Sequence, residues 1–338
     1  MWEANTLTAN SNHPYEALTP DLILNALESL GLLCDGRLLA LNSYENRVYQ
    51  VGIEGERPVV AKFYRPNRWS DEAILEEHAF SQELTSAELP VISPVADAAG
   101  TTLHCHEGFR FSISPNCGGR WQELSADHLA WMGRFIARIH GIGQSSEFQH
   151  RQTFSIEERG IEAYRYILDN GFIPMELELA YKSLAEQLIE RIQSAFDRAG
   201  QLTPLRLHGD CHLGNILWTD DGPHFVDFDD CCTGPAIQDL WMLLSGDREQ
   251  MTSQLSTLLG AYSEFHDFNP RELHLVEALR TLRMIHYSAW LARRWDDPAF
   301  PMNFPWFNSQ RYWEEQILLL KEQMALMDEP PLQWMWDH

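Results

Sequence analysis

The chain has 338 residues, 44% hydrophobic and 22% charged, with twelve Trp and sixteen Phe, a composition that supports a substantial core and excludes a disordered chain. Its formal net charge of −24, with no Lys/Arg-rich stretch to override it, excludes a phosphate backbone as partner, so no nucleic acid is expected. No apolar run approaches the roughly 18 residues of a membrane span, the start lacks a signal-peptide pattern and the six Cys form no regular framework; the reading is a cytoplasmic protein with no membrane partner and no need of disulfides.

Residues 1–18 are polar and aperiodic and read as an N-terminal tail. Thr19 is an N-cap with Pro20 at the first helical position, and Gly31 ends that helix. Three β-like segments follow, Arg37 to Leu41, Arg47 to Ile53 and Pro58 to Tyr64, joined by connections short enough for antiparallel hairpins. Ser70 caps a helix to about Ser86, and two more β-like runs lie around Val91 to Val95 and Phe109 to Ile113. Pro115 to Gly119 breaks the pattern and marks a hinge. Beyond it the periodicity is helical over Ser125 to His140, Ile156 to Asp169, Met175 to Ala199, Ile237 to Leu244 and long stretches near 250–265 and 271–295, except for a compact β-like insert, Leu205 to Phe228.

A small sheet with one helix, then a larger helical region containing a short hairpin, predicts an α+β bilobal fold: an N-lobe over residues 19–115 and a mainly helical C-lobe over residues 116–338. Alternating βα units are absent, as are the dinucleotide glycine fingerprint and a Walker A sequence.

The sharpest signal is His208-Gly209-Asp210-Cys211-His212-Leu213-Gly214-Asn215, followed on the next β-like segment by Phe225-Val226-Asp227-Phe228-Asp229-Asp230. Phosphoryl transfer from ATP needs a carboxylate to accept the hydroxyl proton, plus an amide oxygen and a second carboxylate to hold Mg²⁺ against the phosphates. Asp210, Asn215 and Asp227 supply that set. A tight loop after one strand points Asp210 at substrate and returns Asn215 to the metal, and the neighbouring strand delivers Asp227.

On these residues the chain resembles the aminoglycoside phosphotransferase and choline kinase superfamily, whose fold is protein-kinase-like. Further stretches narrow the resemblance to the YihE family of stress-response protein kinases: Leu41 through Gln50, Lys62 through Pro66, Ile74 through His78, Leu207 through Trp218, Gly234 through Ala236, Gln238 through Leu244, Asp297 through Pro301 and Asn303 through Trp306. The resemblance implies Asp210 as proton acceptor, Asn215 and Asp227 as Mg²⁺ ligands with Asp227 also in the catalytic set, Ser43 as an ATP-site position, and protein Ser/Thr hydroxyls, including this chain's own, as acceptors. The wider superfamily also includes kinases of antibiotics, choline and other small alcohols, which keeps a small-molecule acceptor as the alternative.

Lys62 lies inside the apolar run Val59-Val60-Ala61-Lys62-Phe63, where an ammonium needs an anionic partner such as ATP phosphate. In the following helix Ala73, Glu77, Phe80 and Leu84 share one stripe, so Glu77 faces inward to orient Lys62, with Glu76 as the alternative. The loop Asn42 to Asn46 stands where a phosphate-covering hairpin belongs but has no Gly, so phosphate contacts would come from backbone N–H groups and the Ser43 hydroxyl. Asp239 opens an apolar helix and is expected to brace the catalytic loop through backbone N–H groups, while His140 reads as a packed core residue. The acidic field favours a basic or neutral polypeptide acceptor. A phosphatase built on Asp227-Phe228-Asp229 leaves Lys62 and the Asp210 loop unexplained, and a nucleotide-binding pseudokinase should lack a base or metal ligand that is here present.

Overall fold

A computed structural model describes residues 13–120 and 122–335. Helix α1 (Pro20–Glu28) starts where expected: the Thr19 hydroxyl accepts from the Leu22 N–H, one of the donors a helix start leaves without a partner. Strands β1 (Cys34–Ala40), β2 (Arg47–Ile53), β3 (Val59–Phe63), β4 (His104–His106) and β5 (Phe109–Pro115) form one antiparallel sheet in the order β1-β2-β3-β5-β4.

The period of two along β3 decides which side chains meet α1. Ala61 and Phe63 are fully buried with Ile23, Ala26 and Leu27 of α1, and the Phe63 ring stacks on Phe111 at 5.2 Å. Lys62 therefore faces the other way, toward α2 (Asp71–Ser86), which Ser70 caps by accepting from Ala73 N–H. Tyr15 and Leu18, from the stretch read as a tail, pack into this same core, where the Tyr15 hydroxyl donates to the Phe63 and Glu45 carbonyls; residues 1–12 of that stretch lie outside the described residues.

One strand expectation fails. Val91 to Val95 forms no strand: it makes an isolated bridge, Val91 to Phe225, and a bond from Val95 N–H to the Ile113 carbonyl, because Pro90 and Pro94 interrupt its run of backbone donors, and His104–His106 pairs with β5 instead.

The helical body comprises α3 (Ala126–Gly143), a π turn (Glu157–Ile161) running into α4 (Glu162–Asp169), α5 (Met175–Ala199), α6 (Arg248–Tyr262), α7 (Val276–Arg293), α8 (Ala299–Asn303) and α9 (Gln310–Met327). Helices α3 and α6 cross closely at Gly133, where any Cβ would stand 2.3 Å from the Leu258 carbonyl oxygen. Two short ribbons sit within this body, β6 (Leu205–Leu207) with β9 (Cys232–Gly234), and β7 (Ile216–Thr219) with β8 (Gly222–Phe225). The expected helix over 237–244 is instead two 3₁₀ turns, Ala236–Asp239 and Trp241–Leu243. Nearly every residue there is buried, so its apolar spacing carried no helix-specific stripe. Asp239 thus ends a turn rather than opening a helix.

Candidate active site

The two candidate loops are positioned differently. The buried strand β6 feeds His208-Gly209-Asp210, and Gly209 takes φ +84° with its Cα pressed on Asp230, so that a Cβ would lie 2.1 Å from the Asp230 carbonyl oxygen. The Asp239 carboxylate accepts from His208 N–H and Gly209 N–H, each at 2.8 Å, and the Gln238 amide donates to the Gly209 carbonyl at 2.8 Å. His140, fully buried, lies 3.2 Å from Asp239 through Nε2 and 2.9 Å from the Tyr262 hydroxyl through Nδ1. The packed histidine therefore also fixes the brace.

Beyond this brace the Asp210 side chain meets a partner at each carboxylate oxygen. One carboxylate oxygen accepts from Arg283 of α7, and the other lies 3.4 Å from His212 Nε2. Burial alone would raise the Asp210 carboxyl, but the His212 hydrogen bond and the Arg283 charge outweigh it and hold the group well below the usual carboxylate range. The Asn215 amide nitrogen donates to the Asp210 carbonyl at 3.0 Å, which leaves its Oδ1 with no hydrogen bond among the described residues.

Asp227 adopts the left-handed conformation, φ 61° and ψ 65°, with its side chain 47% exposed. Its Oδ1 lies 3.0 Å from Lys62 Nζ, which also contacts Glu77 at 3.2 Å and Asp229 at 3.2 Å. Burial works against the Lys62 ammonium, but the three carboxylates, Asp227 foremost, overcome it and raise its pKa well above the ordinary value. Glu77 is thus the inward carboxylate; Glu76 accepts from the backbone N–H groups of Gln149, His150 and Arg151 instead.

Ser43 stands apart. Its hydroxyl donates to the Asn46 carbonyl of its own loop, and among the described residues no hydrogen bond or ion pair joins it to the other five candidates. The loop is tied from outside: Glu45 meets Arg65 at 3.0 Å, Arg294 at 2.5 Å and the Trp290 indole at 2.6 Å, while Arg47 and Arg65 pair with the buried Asp297 at 3.0 and 2.7 Å.

Sequence reasoning missed Asp229, Arg68 and Arg283. Asp229 is buried against Lys62 and Arg68, and Arg68 also holds Asp230 at 2.6 Å. The paired acids after Phe228 were a usable signal for Asp229. Nothing local marks the two arginines, which reach their carboxylates from distant parts of the chain.

The donor set tests the expected metal. One half-exposed carboxylate and one free amide oxygen suit a hard cation that takes few protein ligands and completes its shell with water and phosphate, as Mg²⁺ does. Among the described residues no group of three or more His, Cys, Asp or Glu could by itself cage a metal.

A five-stranded antiparallel sheet over a helical body, with this lysine, glutamate and carboxylate constellation between them, defines a protein-kinase-like phosphotransferase fold. Residues 37–276 match the phosphotransferase enzyme family, and the chain belongs to that family. It is 46% identical to stress response kinase A of Escherichia coli (strain K12) over 325 residues, covering 96% of this chain and 98% of the relative. It is 44% identical to serine/threonine protein kinase RdoA of Salmonella typhimurium (strain LT2) over 320 residues, covering 94% and 96%. Among solved structures, a microcompartment-associated aminopropanol kinase superposes with a TM-score of 0.69 at 17% identity, covering 93% of this chain and all of that one. The amicoumacin kinase hAmiN superposes at 0.67 with 17% identity, covering 88% and 94%; at these identities the likeness is one of fold.

Proposed function

We propose that this chain is a cytoplasmic, ATP- and Mg²⁺-dependent kinase that phosphorylates Ser and Thr hydroxyls of proteins, its own included, in a stress response. The observation that carries the reading is the joint placement of an ionised Asp210 on a braced loop and of Lys62 against Glu77 and Asp227 across the same junction. Support for a protein acceptor comes from the relative named as a serine/threonine protein kinase. Among the described residues no helix is long and apolar enough to cross a membrane.

Asp210 accepts the hydroxyl proton as the γ-phosphoryl group transfers, and Arg283 and His212 keep its carboxylate ionised for that task. Asn215 and Asp227 would hold Mg²⁺, whose charge would offset that of the transferring phosphoryl group. Lys62 binds ATP phosphate, and Glu77 keeps its ammonium aimed into the cleft. The backbone of Asn42 to Asn46 and Ser43 cover the nucleotide. Incubation with labelled Mg-ATP, alone and with a generic protein, tests the reading: phospho-Ser or phospho-Thr is expected, and absent in Asp210→Asn. Labelling of a small alcohol with no protein labelled would overturn the acceptor assignment and keep the phosphotransferase.

A further inference from the structure

Asp227 keeps a left-handed backbone conformation, which a residue other than Gly holds only where its surroundings enforce it. Upstream, the catalytic loop supplies the hold: Val226 N–H donates to the Asn215 carbonyl at 3.0 Å, and His208 Nε2 donates to the Val226 carbonyl at 2.9 Å. Downstream, the hold comes from Arg151, in the segment between α3 and the π turn. Its Nε donates to the Cys231 carbonyl at 3.1 Å, and its Nη2 donates to the Asp229 carbonyl and, at 3.4 Å, to that of Phe228. One guanidinium thus gathers the carbonyls of the 3₁₀ turn Phe228–Asp230 and of the residue after it.

Arg151 is 5% exposed, lies over the Trp69 ring at 4.1 Å and has no ion pair among the described residues. Burying a guanidinium without a carboxylate is costly, so the bonds to the turn are what its position supplies. The segment that carries it is fixed in turn by Glu76 of α2, whose carboxylate accepts from the N–H groups of Gln149 at 2.6 Å, His150 at 2.7 Å and Arg151 at 2.9 Å. Glu76 and Glu77 are neighbours, so one turn of α2 sends one carboxylate to Lys62 and the other to the backbone of Arg151. The path closes on itself, because Lys62 Nζ lies 3.0 Å from Asp227 Oδ1.

We infer that Arg151 is a positioning residue for Asp227 as a metal ligand, and that Glu76 acts through Arg151. This rests on the metal role of Asp227 proposed above and names what holds that carboxylate in place. The planar fork of Arg151 can reach several carbonyls at once, which a point charge cannot do with the same geometry. Without it the turn loses its downstream hold, Asp227 can relax out of the left-handed region, and its carboxylate leaves the position shared with Lys62. Nucleotide contacts made by Lys62 alone do not depend on that turn.

Calorimetry of the full chain with ATP, first in EDTA and then in excess Mg²⁺, gives for each variant the gain in affinity that the metal supplies. In Arg151→Met that gain should shrink by roughly tenfold or more, the scale of one or two charge-assisted hydrogen bonds, while metal-free ATP affinity changes by less than about threefold. Arg151→Lys, whose ammonium can still donate to a carbonyl, should fall between the parent and Arg151→Met. Glu76→Gln should shrink the gain as well, and Glu76→Gln combined with Arg151→Met should be little worse than Arg151→Met alone. Partly unfolded preparations lower the number of binding sites and leave the affinity readable. Asp227→Ala is the control and should abolish the gain; if it does not, the metal assignment falls and the inference with it. If the control behaves as expected, three results each overturn the inference while the phosphotransferase reading stands: an unchanged gain in both Arg151 variants, an equal loss of metal-free affinity, or additive losses in the double variant.

Discussion

The loop His208 to Asn215 and the loop Asn42 to Asn46 are held by different forces. The first is fixed from within the helical body: a buried carboxylate, Asp239, accepts two backbone N–H groups, and His140 and Tyr262 fix that carboxylate in turn. The second has no glycine and little internal bonding beyond the Ser43 hydroxyl, and ion pairs from α7 and Asp297 hold it in place. Backbone hydrogen bonds set geometry to a few tenths of an ångström, whereas ion pairs between separate elements set how two bodies sit together. The first loop is accordingly fixed by its own body, and the second by contacts between separate elements.

The largest effect expected from breaking this arrangement is at Asp210. Asp210→Asn should lower turnover by roughly 10²–10⁴-fold while calorimetry finds Mg-ATP affinity little changed. Turnover within about tenfold of the parent would remove Asp210 from the reaction.

A paired comparison comes next. Asp297→Ala leaves Arg47 without its carboxylate and Arg65 with Glu45 alone, and should cost about 3 kcal/mol in denaturant unfolding, with KM for ATP rising more than kcat falls. Asp239→Ala strands two backbone N–H groups and should cost about 2 kcal/mol or more, with kcat falling and KM for ATP nearly kept. The same kinetic split in both variants would erase the distinction between the loops.

A pH series sharpens the catalytic side. Glu272, which accepts from Ile237 N–H behind the catalytic loop, is pushed up by burial to about 7 from 4.5. The unfolded chain ionises this carboxyl first, so the folded state is favoured below about 4.5 and loses that advantage as pH rises through about 7. Glu272→Gln should flatten this part of the stability profile, by no more than a few kcal/mol between pH 4.5 and 8. An unchanged profile would show that another group sets the slope.

The smallest effect is expected at Ser43, whose hydroxyl makes one bond within its own loop. Ser43→Ala should raise KM for ATP by no more than about tenfold, the scale of one hydrogen bond. A larger rise would make the hydroxyl a direct phosphate contact.

Residues close together in sequence were legible because local geometry decides them. The Thr19 and Ser70 caps, the alternation that turns Lys62 away from Ala61 and Phe63, the helical stripe that turns Glu77 inward, and the loop joining Asp210 to Asn215 each depend on spacings of a few residues. Val91 to Val95 and 237–244 were misread where that locality failed. Proline removed the donors of the first, and burial on all sides erased the stripe of the second.

Sequence alone therefore determined the fold class, the carboxylates and amide of the candidate motif, and the lysine and glutamate expected beside them, since each is written as a period or a short motif. Only the tertiary structure decided which charges meet: Arg283 on Asp210, Arg68 on Asp229 and Asp230, and Asp297 on Arg47 and Arg65. Such pairings join residues from separate elements, and a Coulomb interaction falls with distance in space, of which separation along the chain carries no record.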